Sequence, residues 1–179
     1  MSKLPKFIKR TEIYDSDRIE LYKDTIETHS GNTYDHHVIK SKFDSVALIV
    51  KNAKEQLAFV SSIRYVQGIE ESLELPAGGI DPNEKPMIAA KREFREETGF
   101  EAHNLTFLGE FYPSNSMMTQ KTYVFSGEFN ETVERQEFDT DEVNQTIWIT
   151  LDEVKDLIRN KKITCGVTLS ALSFYMMNN

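Results

Sequence analysis

Hydrophobic positions divide the chain into stretches of different period. Residues 12–14, 18–26 and 33–40 are short runs of strand character, with Ile19 and Leu21 alternating in the second and the turn Ser30-Gly31-Asn32 before the third. They predict a small antiparallel sheet, too thin to bury itself, that must pack on the remaining chain or on another subunit. Ser45 to Val50 and Gln56 to Tyr65 are nearly continuous in apolar character and are joined by the polar turn Lys51 to Glu55. Such runs fit two core strands covered on both faces. Leu73-Glu74-Leu75 predicts a short strand entering a Gly/Pro loop that ends at Pro82, and Pro86 stands where a first-turn proline opens a helix. Strand character resumes at 105–112, 121–125 and 145–149, with Pro113 to Gln120 as an intervening loop. Leu151, Val154, Leu157 and Ile158 make a helical stripe, and Thr168 to Met177 reads as a second apolar helix. These last two helices are expected to cover the face of a mixed sheet opposite the helix that starts at Pro86. The expected division is a β subdomain over 1–43 and a main domain over 44–179.

Composition narrows the function classes. The 179 residues, 39% hydrophobic and 11% aromatic, suffice for one domain with a sizeable core and a small appendage. A formal charge of −8 argues against a nucleic-acid surface, which needs a basic patch, and suits a site that collects cations. The longest apolar run, Val46 to Val50, is far short of the ~20 residues of a membrane helix. The first ten residues are basic and lack the apolar core of a secretory signal, and the single Cys165 has no partner for a disulfide within the chain. Both observations favour a cytoplasmic protein, with Cys165 as a small buried hydrophobe. His36 and His37, adjacent in a strand, point to opposite faces and do not chelate one ion; His29 and His103 are likewise given no role.

The chemistry concentrates in 78–100, GGIDPNEKPMIAAKREFREETGF. Successive helical residues turn by about 100°, so Glu93, Glu96 and Glu97 project from one side. Charged runs are ordinarily solvated helix faces. Three carboxylates on one face repel one another, however, and carboxylate oxygens are ligands that Mg²⁺ or Mn²⁺ prefers.

Gly78, Glu84 and the run Arg92-Glu93-Phe94-Arg95-Glu96-Glu97-Thr98-Gly99-Phe100 together resemble the signature of the Nudix hydrolases, with every constrained position filled. The resemblance implies an α/β/α sandwich with a mixed sheet, and hydrolysis of a nucleoside diphosphate linked to another moiety. It further implies that Glu93, Glu97 and the carbonyl of Ala77, with Glu96, hold Mg²⁺, or Mn²⁺ in its place. The ions would activate water while Arg92 orients a carboxylate and Glu84 serves the structure or adds a metal contact. The N-terminal sheet is similar to that of the ADP-ribose pyrophosphatase branch, where it commonly exchanges between the chains of a homodimer.

Within that branch the resemblance suggests where substrate binds. Arg64, after the second core strand, matches an arginine that contacts the substrate diphosphate, and Glu74 is grouped with it. An acid from the segment 134–142 is expected to reach the metals: Glu142 or Asp141, with Asp139 and Glu137 behind them. The chain departs from the branch at Ser61 and Ser62, where a further Arg and Gln are usual, and in 113–120, which lacks the usual Gly and acid. There Ser114, Asn115 and Gln120 are candidates for sugar hydroxyls, and Met117 and Met118 for an apolar wall. ADP-ribose or another nucleoside diphosphate sugar is the expected substrate. GDP-mannose, ADP-glucose, FAD or NADH are alternatives, as is a sensor that binds a nucleotide sugar without cleaving it.

Overall fold

The computed structural model describes residues 4–129 and 143–178. Two compact units emerge, Met1–Asp44 with Tyr112–Lys121, and Ser45–Phe111 with Thr122–Asn179.

The first unit is an antiparallel sheet of β1 (Lys6–Asp15), β2 (Ile19–Glu27) and β3 (Thr33–Ser41), in that order. Gly31, at φ 82°, supplies the left-handed residue of the β2–β3 turn. Strand β1 is exposed along its length. A polar contact lies where a core would be: Asp24 is buried and takes the Nε and Nη2 of Arg10 at 2.7 and 2.6 Å. The hydrogen bonds from Arg10 hold the Asp24 carboxyl below its ordinary range. The guanidinium also stands 4.4 Å over the ring of Tyr22. Residues 112–121 are stitched to β3 through the backbone: Ile39 N–H donates to the Met117 carbonyl at 2.8 Å, and Thr119 N–H donates to that of Ile39 at 3.1 Å.

The second unit is a mixed sheet built on β4 (Ser45–Lys51), β5 (Gln56–Arg64), β8 (Ala102–Phe111), β9 (Thr122–Phe129) and β10 (Val143–Thr150), ordered β10-β5-β4-β9-β8. Strands β4 and β9 run parallel. Strand β6 (Ile69–Glu74) adds to β5, and β7 (Ala77–Gly79) adds to β4. The continuous apolar run of β4 is explained by its two faces. Val46, Leu48 and Val50 pack with Ala89, Ala90 and Phe94 of α1 (Pro86–Thr98). Ala47 and Ile49, with Leu57 and Phe59, pack with Val154 of α2 (Leu151–Arg159) and Ala171 and Leu172 of α3 (Gly166–Asn178). Fully burying each large side chain contributes about 1.5–3 kcal/mol. This is the expected layering of helices on both faces.

Three local devices fix the helices. Pro86 opens α1, and Gly99, at φ 73°, closes it by donating its N–H to the Arg95 carbonyl. Thr150 and Glu153 form a reciprocal cap at the start of α2. Thr168 Oγ1 accepts from Leu75 N–H at 3.0 Å, tying α3 to the chain just after β6. One local expectation changes: the Gly/Pro loop is partly strand, because Ala77 and Gly78 pair with Ala47 and Val46. That pairing seats the glycines beside α1.

Candidate active site

Strand β7 and the last turns of α1 meet with little space between them. The Glu93 carboxylate lies against Gly78, so closely that a Cβ built on Gly78 would overlap it. Four residues on, Glu97 Oε2 accepts the N–H of Ala77 at 3.1 Å. The spacing thus sets two carboxylates against one short strand, while Glu96, on the flank, is exposed.

Arg92 organises the cluster. Its Nη1 donates to Glu93 Oε1 at 2.8 Å and Glu96 Oε2 at 3.0 Å. Its Nε and Nη2 donate to the two oxygens of Glu84 at 3.1 and 2.8 Å, and Nη2 also donates to the Gly79 carbonyl at 2.8 Å. One planar guanidinium therefore orients Glu93 and ties helix, strand and loop together. Glu84 also accepts Asp81 N–H at 3.1 Å, so it spans the loop before the helix. Its hydrogen bonds from Arg92 hold it below the ordinary carboxylate range.

Glu93 and Glu97 behave otherwise. Burial raises Glu93 above its ordinary value against the opposing pull of Arg92. Burial pushes Glu97 up to about 8, with Ala77 N–H opposing and the charge of Glu93 adding to the rise. Two half-buried carboxylates so close together disfavour their charged forms unless a cation joins them. Among the described residues no three acidic, histidine or cysteine side chains form a closed metal cage. Mg²⁺ is generally held by one or two carboxylates, with water and substrate phosphate completing its shell, so a two-carboxylate half-site fits this ion.

Arg64 reaches the same region from the end of β5. Its Nε and Nη2 donate to the two oxygens of Glu74 at 2.8 Å each. The charge of Arg64 lowers Glu97, and that of Glu97 raises Arg64, so the guanidinium and the carboxylate are within electrostatic reach. Sequence reasoning missed the link between Glu74 and Cys165. The thiol is half-buried and lies near enough to Glu74 to lower that carboxyl, where a buried hydrophobe was expected. The 90 positions between them, 75–164, carry no pattern that announces the contact. Ser62, one of the two replacements on β5, is buried with its hydroxyl unpartnered among the described residues.

The second unit thus brings together Arg64, Glu74, Ala77, Arg92, Glu93, Glu96 and Glu97. Ser114, Asn115 and Gln120 belong to the first unit, where Gln120 Nε2 donates to the Phe43 carbonyl at 3.4 Å. Glu137, Asp139, Asp141 and Glu142 lie outside the described residues.

The profile of the NUDIX domain matches residues 42–165, more than half of the chain. The chain belongs to the Nudix family. Members act on pyrophosphate bonds and generally use a divalent metal. An ADP-ribose pyrophosphatase of Bacillus subtilis (strain 168) is 26% identical over 174 residues, covering 96% of this chain and 92% of its own length. A methanol dehydrogenase activator of Bacillus methanolicus is 28% identical over 175 residues, with coverage of 96% and 92%. A solved structure described as an ADP compounds hydrolase superposes with a TM-score of 0.83 at 20% identity, covering 97% of this chain and 92% of that one, and so shares the fold. Among the described residues no helix is long and apolar enough to cross a membrane.

Proposed function

We propose that this Nudix protein hydrolyses the diphosphate of ADP-ribose or a related nucleoside diphosphate sugar, giving a nucleoside monophosphate and a sugar phosphate. The observation that carries the reading is the pair of half-buried carboxylates, Glu93 and Glu97, set against Gly78 and Ala77, with Glu97 within electrostatic reach of the Arg64 guanidinium. Glu93, Glu97 and the Ala77 carbonyl, with Glu96, would hold Mg²⁺. Bound there, the ion neutralises phosphate oxygens and lowers the pKa of a coordinated water. Arg92 keeps Glu93 oriented through its 2.8 Å hydrogen bond. Arg64 binds the diphosphate through a planar guanidinium suited to two phosphate oxygens. An acid of the 137–142 segment, Glu142 or Asp141 foremost, assists in positioning or deprotonating water. The ADP-ribose pyrophosphatase of B. subtilis, aligned along nearly the whole chain, supports this choice of substrate.

A phosphatase-coupled panel of ADP-ribose, ADP-glucose, GDP-mannose, FAD and NADH tests it. ADP-ribose is expected to turn over fastest in Mg²⁺, and EDTA is expected to abolish phosphate release. Saturable binding with no turnover of any member would replace the enzyme with a sensor.

The protein is further proposed to act as a cytoplasmic homodimer in which the sheet of residues 1–43 exchanges between copies. Phe7, Ile8, Ile13, Tyr14 and Tyr34 are exposed on a sheet that, among the described residues, has no buried apolar side chain of its own. A three-stranded sheet of this kind needs packing to be stable. Sedimentation at micromolar concentration is expected to give twice the chain mass. A monomer there would remove the exchange.

A further inference from the structure

We infer that Glu74 is a positioning residue, holding the Nε–Nη2 edge of the Arg64 guanidinium so that the adjacent Nη1–Nη2 edge is aimed at the diphosphate. The inference rests on the reading of Arg64 given above. Both oxygens of Glu74 are occupied, Oε1 by Nε and Oε2 by Nη2 of Arg64, each at 2.8 Å. A guanidinium has five N–H bonds in a fixed plane, so this pairing consumes two and leaves three, two on Nη1 and one on Nη2. Those remaining on Nη1 and Nη2 form a second fork, suited to a pair of phosphate oxygens.

The two partners are unequally held. The Glu74 side chain is 8% exposed and that of Arg64 34%, so the acid is the anchor and the arginine the arm. Glu74 lies opposite Val60, and Ser72 opposite Ser62, in the β5–β6 ladder. The Ser72 hydroxyl and the Cys165 thiol stand near the same carboxylate and favour its charged form. Burial pushes Glu74 upward, yet the hydrogen bonds from Arg64 bring it below its ordinary value, so it stands as the ionised partner of Arg64. Its charge also raises Glu97, so it stands within reach of the proposed metal carboxylates. An anion so placed repels a diphosphate and cannot bind one directly. Its contribution passes through Arg64, which arrives at the substrate with its orientation already set. Glu74, grouped with the substrate-binding residues on sequence, is thereby assigned a contact with Arg64 instead.

Steady-state kinetics with ADP-ribose and Mg²⁺, alongside melting temperatures, test the assignment in Arg64→Ala, Glu74→Gln, Glu74→Asp and the double variant Arg64→Ala/Glu74→Gln. Glu74→Gln is expected to raise KM about tenfold with kcat within about threefold, as loss of a binding interaction does. Inorganic pyrophosphate, as a competitive inhibitor, should weaken in parallel while adenosine does not. The double variant should bind no worse than Arg64→Ala alone, because without the arginine there is nothing to aim. Glu74→Asp, which keeps the charge, should recover part of the loss and carries the test should Glu74→Gln fold poorly. Wild-type KM in a folded Glu74→Gln or Glu74→Asp protein beside a raised KM in Arg64→Ala would overturn the inference and leave the proposed function standing. Additive losses in the double variant would also overturn it. An unchanged KM in Arg64→Ala would instead remove the role given to Arg64 itself.

Discussion

Glu97→Gln is expected to lower ADP-ribose turnover in Mg²⁺ by about three orders of magnitude while leaving the fold at least as stable. The glutamine keeps the length of the side chain and an oxygen able to accept Ala77 N–H, the contact that Glu97 makes at 3.1 Å. It removes the charge, which is what a divalent ion needs from this position. In the metal-free protein that charge is unfavourable, because burial has pushed the carboxyl up to about 8. A neutral isostere relieves that cost, so melting in EDTA should not fall. Mg²⁺ binds the folded protein and should raise the native melting temperature by mass action, and this rise should vanish in the variant. Equal stabilisation by Mg²⁺ in the two proteins, or comparable turnover, would remove Glu97 from the metal site.

The parts of the fold that were legible in the sequence share a local cause. The run Val46 to Val50 reads as a strand covered on both faces because each alternate set of side chains meets a different helix layer. Helix α1 is marked at both ends, by Pro86 and by Gly99 in its left-handed cap. The carboxylates of the site follow from helical spacing, and resemblance to the Nudix signature supplied their chemistry. What escaped depends on contacts distant in the chain. Strand β1 starts at Lys6, earlier than expected, because it is exposed throughout and has no buried alternation to mark its beginning. The Arg10–Asp24 pair joins charged residues on different strands, 14 positions apart in the chain. Pairing of Arg64 with Glu74 depends on a register shift between Ser62 and Arg64 that no local pattern announces. Residues 113–120 read as a loop, and only backbone hydrogen bonds to β3 reveal the unit to which they belong. The polar residues of that loop are therefore the least legible, since loops take their positions from partners elsewhere in the fold.

Gly78→Ala is expected to lower activity about a hundredfold with a change in stability below about 1 kcal/mol, and Gly79→Ala to leave both nearly unchanged. Neither glycine has positive φ, so alanine brings no backbone strain at either position. The difference lies in what a methyl group meets. At Gly79 nothing stands within 4 Å, whereas at Gly78 the new carbon would occupy the place of the Glu93 carboxylate. That carboxylate is the end of a flexible side chain and can swing aside, which keeps the cost to the fold small. It cannot do so and also keep its 2.8 Å bond to Arg92 and its place against β7, so the metal half-site loses one of its two carboxylate ligands. Paired measurements of kcat/KM and melting temperature on the two variants separate these effects. Loss of stability in step with activity at Gly78 would show that the glycine serves the packing of β7 on α1. Near-native activity would show that Glu93 need not rest against the strand. An inactive but stable protein beside an active Gly79 variant would tie the first glycine of the motif to the placement of one carboxylate.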